Sequence, residues 1–147
     1  MKIYFSGALR ASSNDWHTYG QLIEHLKKHG KVLTQHFNHG VFAIGKSNGM
    51  SDEEIFELYM NLIEKADVFV QEVSTPSIGV GFETAKAQQL EKPILCLYKP
   101  NSARKLSVVL GGNKHITLKT YSTVQEAFGQ INSFFEEIKK KRLHKTV

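Results

Sequence analysis

The 147 residues carry 41% apolar and 22% charged side chains with a formal charge of +5, the profile of one globular domain with a full core. No apolar run approaches the roughly 20 residues that cross a bilayer, and the single cysteine, Cys96, excludes an internal disulfide framework. Lys139, Lys140, Lys141, Arg142 and Lys145 lie in the last nine residues, and removing those five from the 19 Lys and Arg leaves 14, equal to the 14 acids. The body is therefore neutral and nucleic acid is not expected as a partner. Residues 139–147 read as a basic tail, either the solvated end of a helix or a localisation signal or nucleic-acid arm.

Ile3-Tyr4-Phe5 reads as a first strand rather than part of a signal peptide, and Ser6-Gly7-Ala8-Leu9-Arg10 turns out of it. Asn14-Asp15 caps a helix from about Trp16 to Lys28, with Tyr19, Leu22, Ile23 and Leu26 at helical spacing. Gly30 closes it, and Val32-Leu33-Thr34 forms a second strand ending at Gln35-His36-Phe37. Residues 38–49, rich in Gly, Asn and Ser, form a long loop of the kind that is either mobile or functional. Ser51 and Glu54 make a capping box for a helix that runs to about Lys65.

Val68 to Val73 is a buried strand, Ser74-Thr75-Pro76-Ser77 a small-residue loop, and Gly79-Val80-Gly81-Phe82-Glu83 leads into a helix that Pro93 stops. Ile94-Leu95-Cys96-Leu97 is a further buried strand, so Cys96 reads as packing in a reducing compartment. Ser102 to Leu110 forms a short helix, Ile116 to Lys119 an edge strand, and Val124 to about Lys140 the last helix. Five strands alternating with helices predict a single α/β domain, residues 1–138, with a flavodoxin-like doubly wound parallel sheet. Ligands bind such sheets beyond the carboxyl ends of the strands.

That edge gathers the chemistry. Backbone N–H groups at a helix start attract anions, Gly79 and Gly81 let a ligand approach closely, and Ser77 adds a hydroxyl. Glu83 is expected in the first helical turn, where it either complements the dipole or serves as nucleophile or base. Tyr4 by spacing alone suits the core, His36 a strand-end surface histidine, and Ser107 a solvent-facing helix position. Asp67, at the opposite end of its strand, reads as structural, and Glu72 has no evident partner. The histidines and the cysteine show no metal-ligand spacing, so neither a metal nor a cofactor is expected.

With Tyr4-Phe5-Ser6-Gly7-Ala8-Leu9-Arg10, Val32-Leu33-Thr34-Gln35-His36, Ala66-Asp67-Val68, Glu72-Val73, Pro76-Ser77-Ile78-Gly79-Val80-Gly81-Phe82-Glu83, Ile94-Leu95-Cys96-Leu97 and Leu106-Ser107 assembled, the chain resembles the 2′-deoxynucleoside 5′-monophosphate N-glycosidases. These are the nucleotide-hydrolase branch of the nucleoside 2-deoxyribosyltransferase superfamily. The resemblance covers about residues 2 to 120. It implies Glu83 as the nucleophile that forms a glycosyl-enzyme later hydrolysed by water. It implies Tyr4 beside the sugar and His36 in the pocket. Ser77 and the Gly79–Gly81 backbone bind the 5′-phosphate, with Arg10 as companion. The Ser6-Gly7-Ala8-Leu9 turn and Val109 complete the substrate site, and Ser107 reaches the neighbouring subunit's site in a homodimer. A cytoplasmic enzyme is expected, nuclear if the tail is a signal.

Two positions depart from the family pattern. Ala8 stands where the family usually has Ser, and Tyr59 stands where it carries an Asp implicated in catalysis. A phenol can donate a hydrogen bond but is a poor base at neutral pH. Three activities follow as expectations: nucleotide N-glycosidase, deoxyribosyltransferase, or a nucleotide-binding module that has lost catalysis through Tyr59. The phosphate-binding serines argue against the transferase.

Overall fold

A computed structural model describes residues 1–8, 13–35, 49–100 and 105–145. Five parallel strands form one sheet: β1 (Lys2–Ser6), β2 (Lys31–Val32), β3 (Val68–Glu72), β4 (Ile94–Tyr98) and β5 (Thr117–Thr120). Their order is β2-β1-β3-β4-β5, the doubly wound arrangement expected from the strand–helix alternation. The helices are α1 (Ser13–Leu26), α2 (Asp52–Lys65), α3 (Ile78–Gln89), α4 (Val108–Gly111) and α5 (Val124–Lys145).

Two apolar clusters sandwich the sheet, because side chains alternate sides along each strand. On one face Ile3, Phe5, Val68 and Val70 meet Leu22, Ile23 and Leu26 of α1 and Ala127, Ile131 and Phe135 of α5. On the other, Tyr4, Phe69, Ile94 and Cys96 meet Ile63 of α2 and Val80 and Ala87 of α3. Burial pushes the Cys96 thiol up to about 12, so it packs as a neutral apolar group. Asp67, at the amino edge, accepts from the backbone N of Lys2 at 2.7 Å.

The capping box of α2 forms as expected: Ser51 Oγ accepts from Glu54 N, and Glu54 accepts from Ser51 N at 2.7 Å. Several boundaries differ from the sequence expectation. The strand expected at 32–34 is Lys31–Val32, because the Thr34 side chain takes over the ladder. Its Oγ1 accepts from Phe5 N at 2.9 Å and donates to Phe5 O at 2.7 Å. The expected helix 102–110 is a single turn, Val108–Gly111, within the described residues. The last helix continues past Lys140 to Lys145, and Lys139, Lys140, Lys141 and Arg142 are exposed on it.

Candidate active site

Ser77 is the N-cap of α3: its backbone is extended and its Oγ accepts from Val80 N at 3.3 Å. A serine oxygen there satisfies one of the amides a helix leaves open, and its hydrogen remains free to donate. The helix thus begins at Ile78, and no acidic residue lies in its first turn. The expectation that Glu83 sits in that turn is corrected. Glu83 is a full turn further on, where the dipole has faded. The small residues Ser77 and Gly79 that the sequence assigns to a loop are already cap and helix.

Burial, not the dipole, sets the state of Glu83. The residue as a whole is part-exposed, but Oε2 is shut off from solvent. Burial pushes its pKa from an ordinary 4.5 to about 7, while the hydroxyls of Ser6 and Tyr4 pull it back down. Neither Oε2 nor the Tyr4 hydroxyl closes a hydrogen bond at ordinary geometry among the described residues, so the two stand close enough to interact without being locked. Tyr59 lies beside them. Its phenol is pushed up to about 12 by burial and then by the Glu83 charge.

Tyr4 is fully buried in the core, as its spacing suggests, and its hydroxyl is directed at Glu83. The backbone beneath is fixed by a relay that sequence reasoning missed. Gln71, wholly buried, donates to Ser6 Oγ at 3.1 Å and accepts from Thr84 Oγ1 at 2.7 Å. Thr84 follows Glu83 directly, so β1, β3 and α3 are tied at the carboxylate. The one sequence signal was a Gln-Glu pair ending an otherwise apolar strand.

Glu83 faces a cleft of about 440 Å³ lined by Gly7, Ile55, Phe56, Tyr59, Met60, Ser77, Gly79 and Phe82 among others. Phe56 and Phe82 face one another across it with centroids 6.3 Å apart. These apolar walls were not foreseen; their signal is half-exposed aromatics flanking the site on two helices. A second cleft of about 540 Å³ lies on the other side of the α3 start. It is lined by Thr75, Ser77, Gly81, Lys105, Ser107 and Val109 among others.

Ser77 therefore borders both cavities, and a Cβ at Gly79 or Gly81 would meet open cleft rather than backbone. Gly7 has a different reason to be glycine, since a Cβ there would stand 2.7 Å from the Tyr19 ring. Ala8 is buried against the same strand end. Leu9, Arg10 and His36 lie outside the described residues. Among the described residues no group of three or more His, Cys, Asp or Glu is placed to hold a metal, and no helix is long and apolar enough to cross a membrane.

A family model described as nucleoside 2-deoxyribosyltransferase matches residues 3–133. The chain belongs to the nucleoside 2-deoxyribosyltransferase family. Among its relatives, the 5-hydroxymethyl-dUMP N-hydrolase of Rattus norvegicus is 40% identical over 111 residues, 75% of this chain and 68% of that protein. A putative 2′-deoxynucleoside 5′-phosphate N-hydrolase of Trichoplax adhaerens is 38% identical over 110 residues, 75% of this chain and 74% of that protein. Among solved structures, the CMP N-glycosidase of Clostridium botulinum superposes with a TM-score of 0.65, covering 90% of this chain and 99% of that one. At 14% identity that likeness speaks for the fold.

Proposed function

We propose that the protein hydrolyses the N-glycosidic bond of 2′-deoxynucleoside 5′-monophosphates, releasing free base and deoxyribose 5-phosphate through a glycosyl-Glu83 intermediate. The observation that carries this reading is the Glu83 carboxyl, poised at about 7 on the wall of a cleft that the Ser77 helix start also lines. The names of the hydrolase relatives agree with it.

In the first step a Glu83 carboxylate oxygen bonds to the anomeric carbon as the carbon–nitrogen bond breaks, its electron pair leaving with the base. An anionic neighbour stabilises the oxocarbenium character of that transition state before bonding to it. In the second step water adds to the same carbon and Glu83 leaves as carboxylate, the water's proton passing to solvent, which supplies one to the departed base. Tyr4 and Tyr59, both held neutral at physiological pH by burial, serve as hydrogen-bond donors to Glu83 and the sugar. The 5′-phosphate sits at the α3 start against Ser77 and the Gly79–Gly81 backbone.

The working unit in this reading is a homodimer. Ile78, Val108 and Val109 are 95%, 88% and 75% exposed beside the second cleft, an apolar patch with Ser107 at its edge. A second copy covering it would bring Ser107 to the partner's phosphate.

Incubation with a panel of nucleosides and nucleoside monophosphates, followed by chromatography of free base, tests the reading. Free base plus sugar phosphate is the expected result. Transfer of the sugar to an added base would instead make it a transferase. Binding without turnover would mean that Tyr59 in the acid's place has left a sensor.

A further inference from the structure

The side of the sheet turned away from Glu83 carries a second buried carboxylate, which the reaction above does not use. Glu72 is the last residue of β3 and is 2% exposed. Strand alternation that turns Gln71 toward Thr84 turns Glu72 toward α1 and α5. Its Oε1 accepts from the Tyr121 hydroxyl at 3.0 Å and from the Ser74 hydroxyl, and its Oε2 from Ser74 N at 3.3 Å. Ser74 Oγ then accepts from Lys99 N at 2.7 Å. Tyr19 completes the cluster: the Glu72 charge helps push its phenol pKa up, and its hydroxyl accepts from Ala8 N at 3.2 Å.

One carboxylate thereby reaches four connections at the carboxyl edge of the sheet: after β1 through Tyr19, after β3 and β4 through Ser74, and after β5 through Tyr121. Burying a carboxylate is costly unless hydrogen bonds hold it. Here burial raises the Glu72 pKa while Ser74 and Tyr121 lower it. The core needs no charge at this place. The strand ends do need a fixed spacing, because Gly7 borders the Glu83 cleft, Thr75 and Pro76 the second cleft, and Ser77 both.

We propose that Glu72 is a positioning residue, holding the Gly7–Ala8 and Ser74–Ser77 connections at the separation that lets them grip the nucleotide together; this rests on the nucleotide-hydrolysing reading. It acts on binding rather than on bond cleavage. Glu83 is anchored separately, through Thr84 and Gln71, on the opposite face.

The test is Glu72→Gln, which keeps the shape but sets an amide N–H₂ where the Ser74 amide needs an acceptor. KM for a nucleoside monophosphate is expected to rise about tenfold with kcat within about twofold, the loss of binding shared by ground and transition states. Exchange of the Ala8, Ser74 and Lys99 amides is expected to quicken, while that of Phe5, held by Thr34, stays unchanged. Tyr121→Phe, which removes a single donor, should move KM and exchange the same way by less. An unchanged KM, or a fall in kcat at constant KM, overturns the proposal. Should the wild type cleave no nucleotide, the hydrolase reading fails and the three amides decide this one: faster exchange at all three supports it, and unchanged exchange overturns it.

Discussion

Tyr4 and Glu83 shift one another across the interface of β1 and α3. The Glu83 charge raises the Tyr4 pKa, and the Tyr4 hydroxyl lowers that of Glu83. Burial is the larger cause of the rise in each, and on top of it the phenol stabilises the ionised carboxylate and is itself harder to ionise beside it. A residue of the core thus favours the form of Glu83 able to attack a carbon. With Glu83 at about 7, kcat/KM for a nucleoside monophosphate is expected to rise with pH through an apparent pKa near 7. In Tyr4→Phe that pKa should move upward, so the activity loss is larger at about pH 6 than at about pH 8.5. A pH–rate profile of both proteins checks this; an unshifted profile would separate Tyr4 from the nucleophile.

Stability should run the other way. The folded pKa of Glu83 lies above its ordinary 4.5, so the native state holds a proton that the unfolded chain has released. That contribution is fully present below about 4.5 and is lost as pH rises through about 7. Glu83→Gln keeps the neutral shape at every pH. It is expected to abolish base release while unfolding, at about pH 8, some 1–3 kcal/mol less readily than wild type. Urea titrations at about pH 5 and pH 8 measure the difference; equal pH dependence in the two proteins would mean the carboxylate is better solvated than its setting implies.

Much of this fold was written in the order of its apolar runs. Val68 to Val73 and Ile94 to Leu97 carry too few polar residues for any place but a sheet centre, and Ser51 with Glu54 announces a helix by side-chain chemistry alone. The site was legible where a residue type has few uses: Ser77, the two glycines and Glu83. What failed to show was the reach of single side chains. Thr34 ended β2 by bonding to Phe5, and nothing in Val32-Leu33-Thr34 distinguishes that from another strand residue. Ser77 opened α3 early because one hydroxyl caps Val80 N, which moved Glu83 out of the dipole's range. Glu72 gained its partners from residues 2 and 49 positions away, and the second of those no local pattern contains.

Ser77 caps α3, and in the proposed function its hydroxyl also meets the 5′-phosphate. Ser77→Ala removes the N-cap, which costs about 1 kcal/mol of stability, and removes a hydroxyl from the anion site. Hydrogen bonds to a charged group contribute about 1.5–3 kcal/mol each. The expected result is a KM for the monophosphate raised at least about tenfold, with the corresponding unphosphorylated nucleoside little affected. Comparing kcat/KM for the two substrates in both proteins tests it. An equal loss for both would place the phosphate elsewhere.

Val108 lies at the start of α4, 88% exposed and outside the lining of either cleft. Val108→Asp should leave the fold intact and disrupt a dimer whose contact includes it, since an unpaired charge is costly in an apolar interface. Light scattering is expected to report a dimer for wild type and a monomer for the variant, with activity lowered because Ser107 no longer reaches the partner. A fully active wild-type monomer at assay concentration would rule out the shared site.

Tyr59 poses the sharpest case, because its place in the site and its chemistry pull apart. It packs on the apolar cluster of α2 and α3 and also lines the Glu83 cleft. Its phenol, pushed up to about 12, cannot take a proton from water near neutrality and can act only as a donor, of a hydrogen bond or of a proton to the leaving base. Loss of a positioned general acid or base lowers a rate about 10²–10⁴-fold. Wild type is therefore expected to be slow, and Tyr59→Asp to raise single-turnover base release. The new carboxyl would share a proton with Glu83, since two close carboxyls resist ionising together, and the rate optimum should shift with the pair. Tyr59→Phe gives the complement: a modest loss if the phenol only donates a hydrogen bond, a loss of about 10²-fold or more if it carries the proton. If Tyr59→Asp folds, binds nucleotide and remains no faster than wild type, the absent acid does not limit this enzyme.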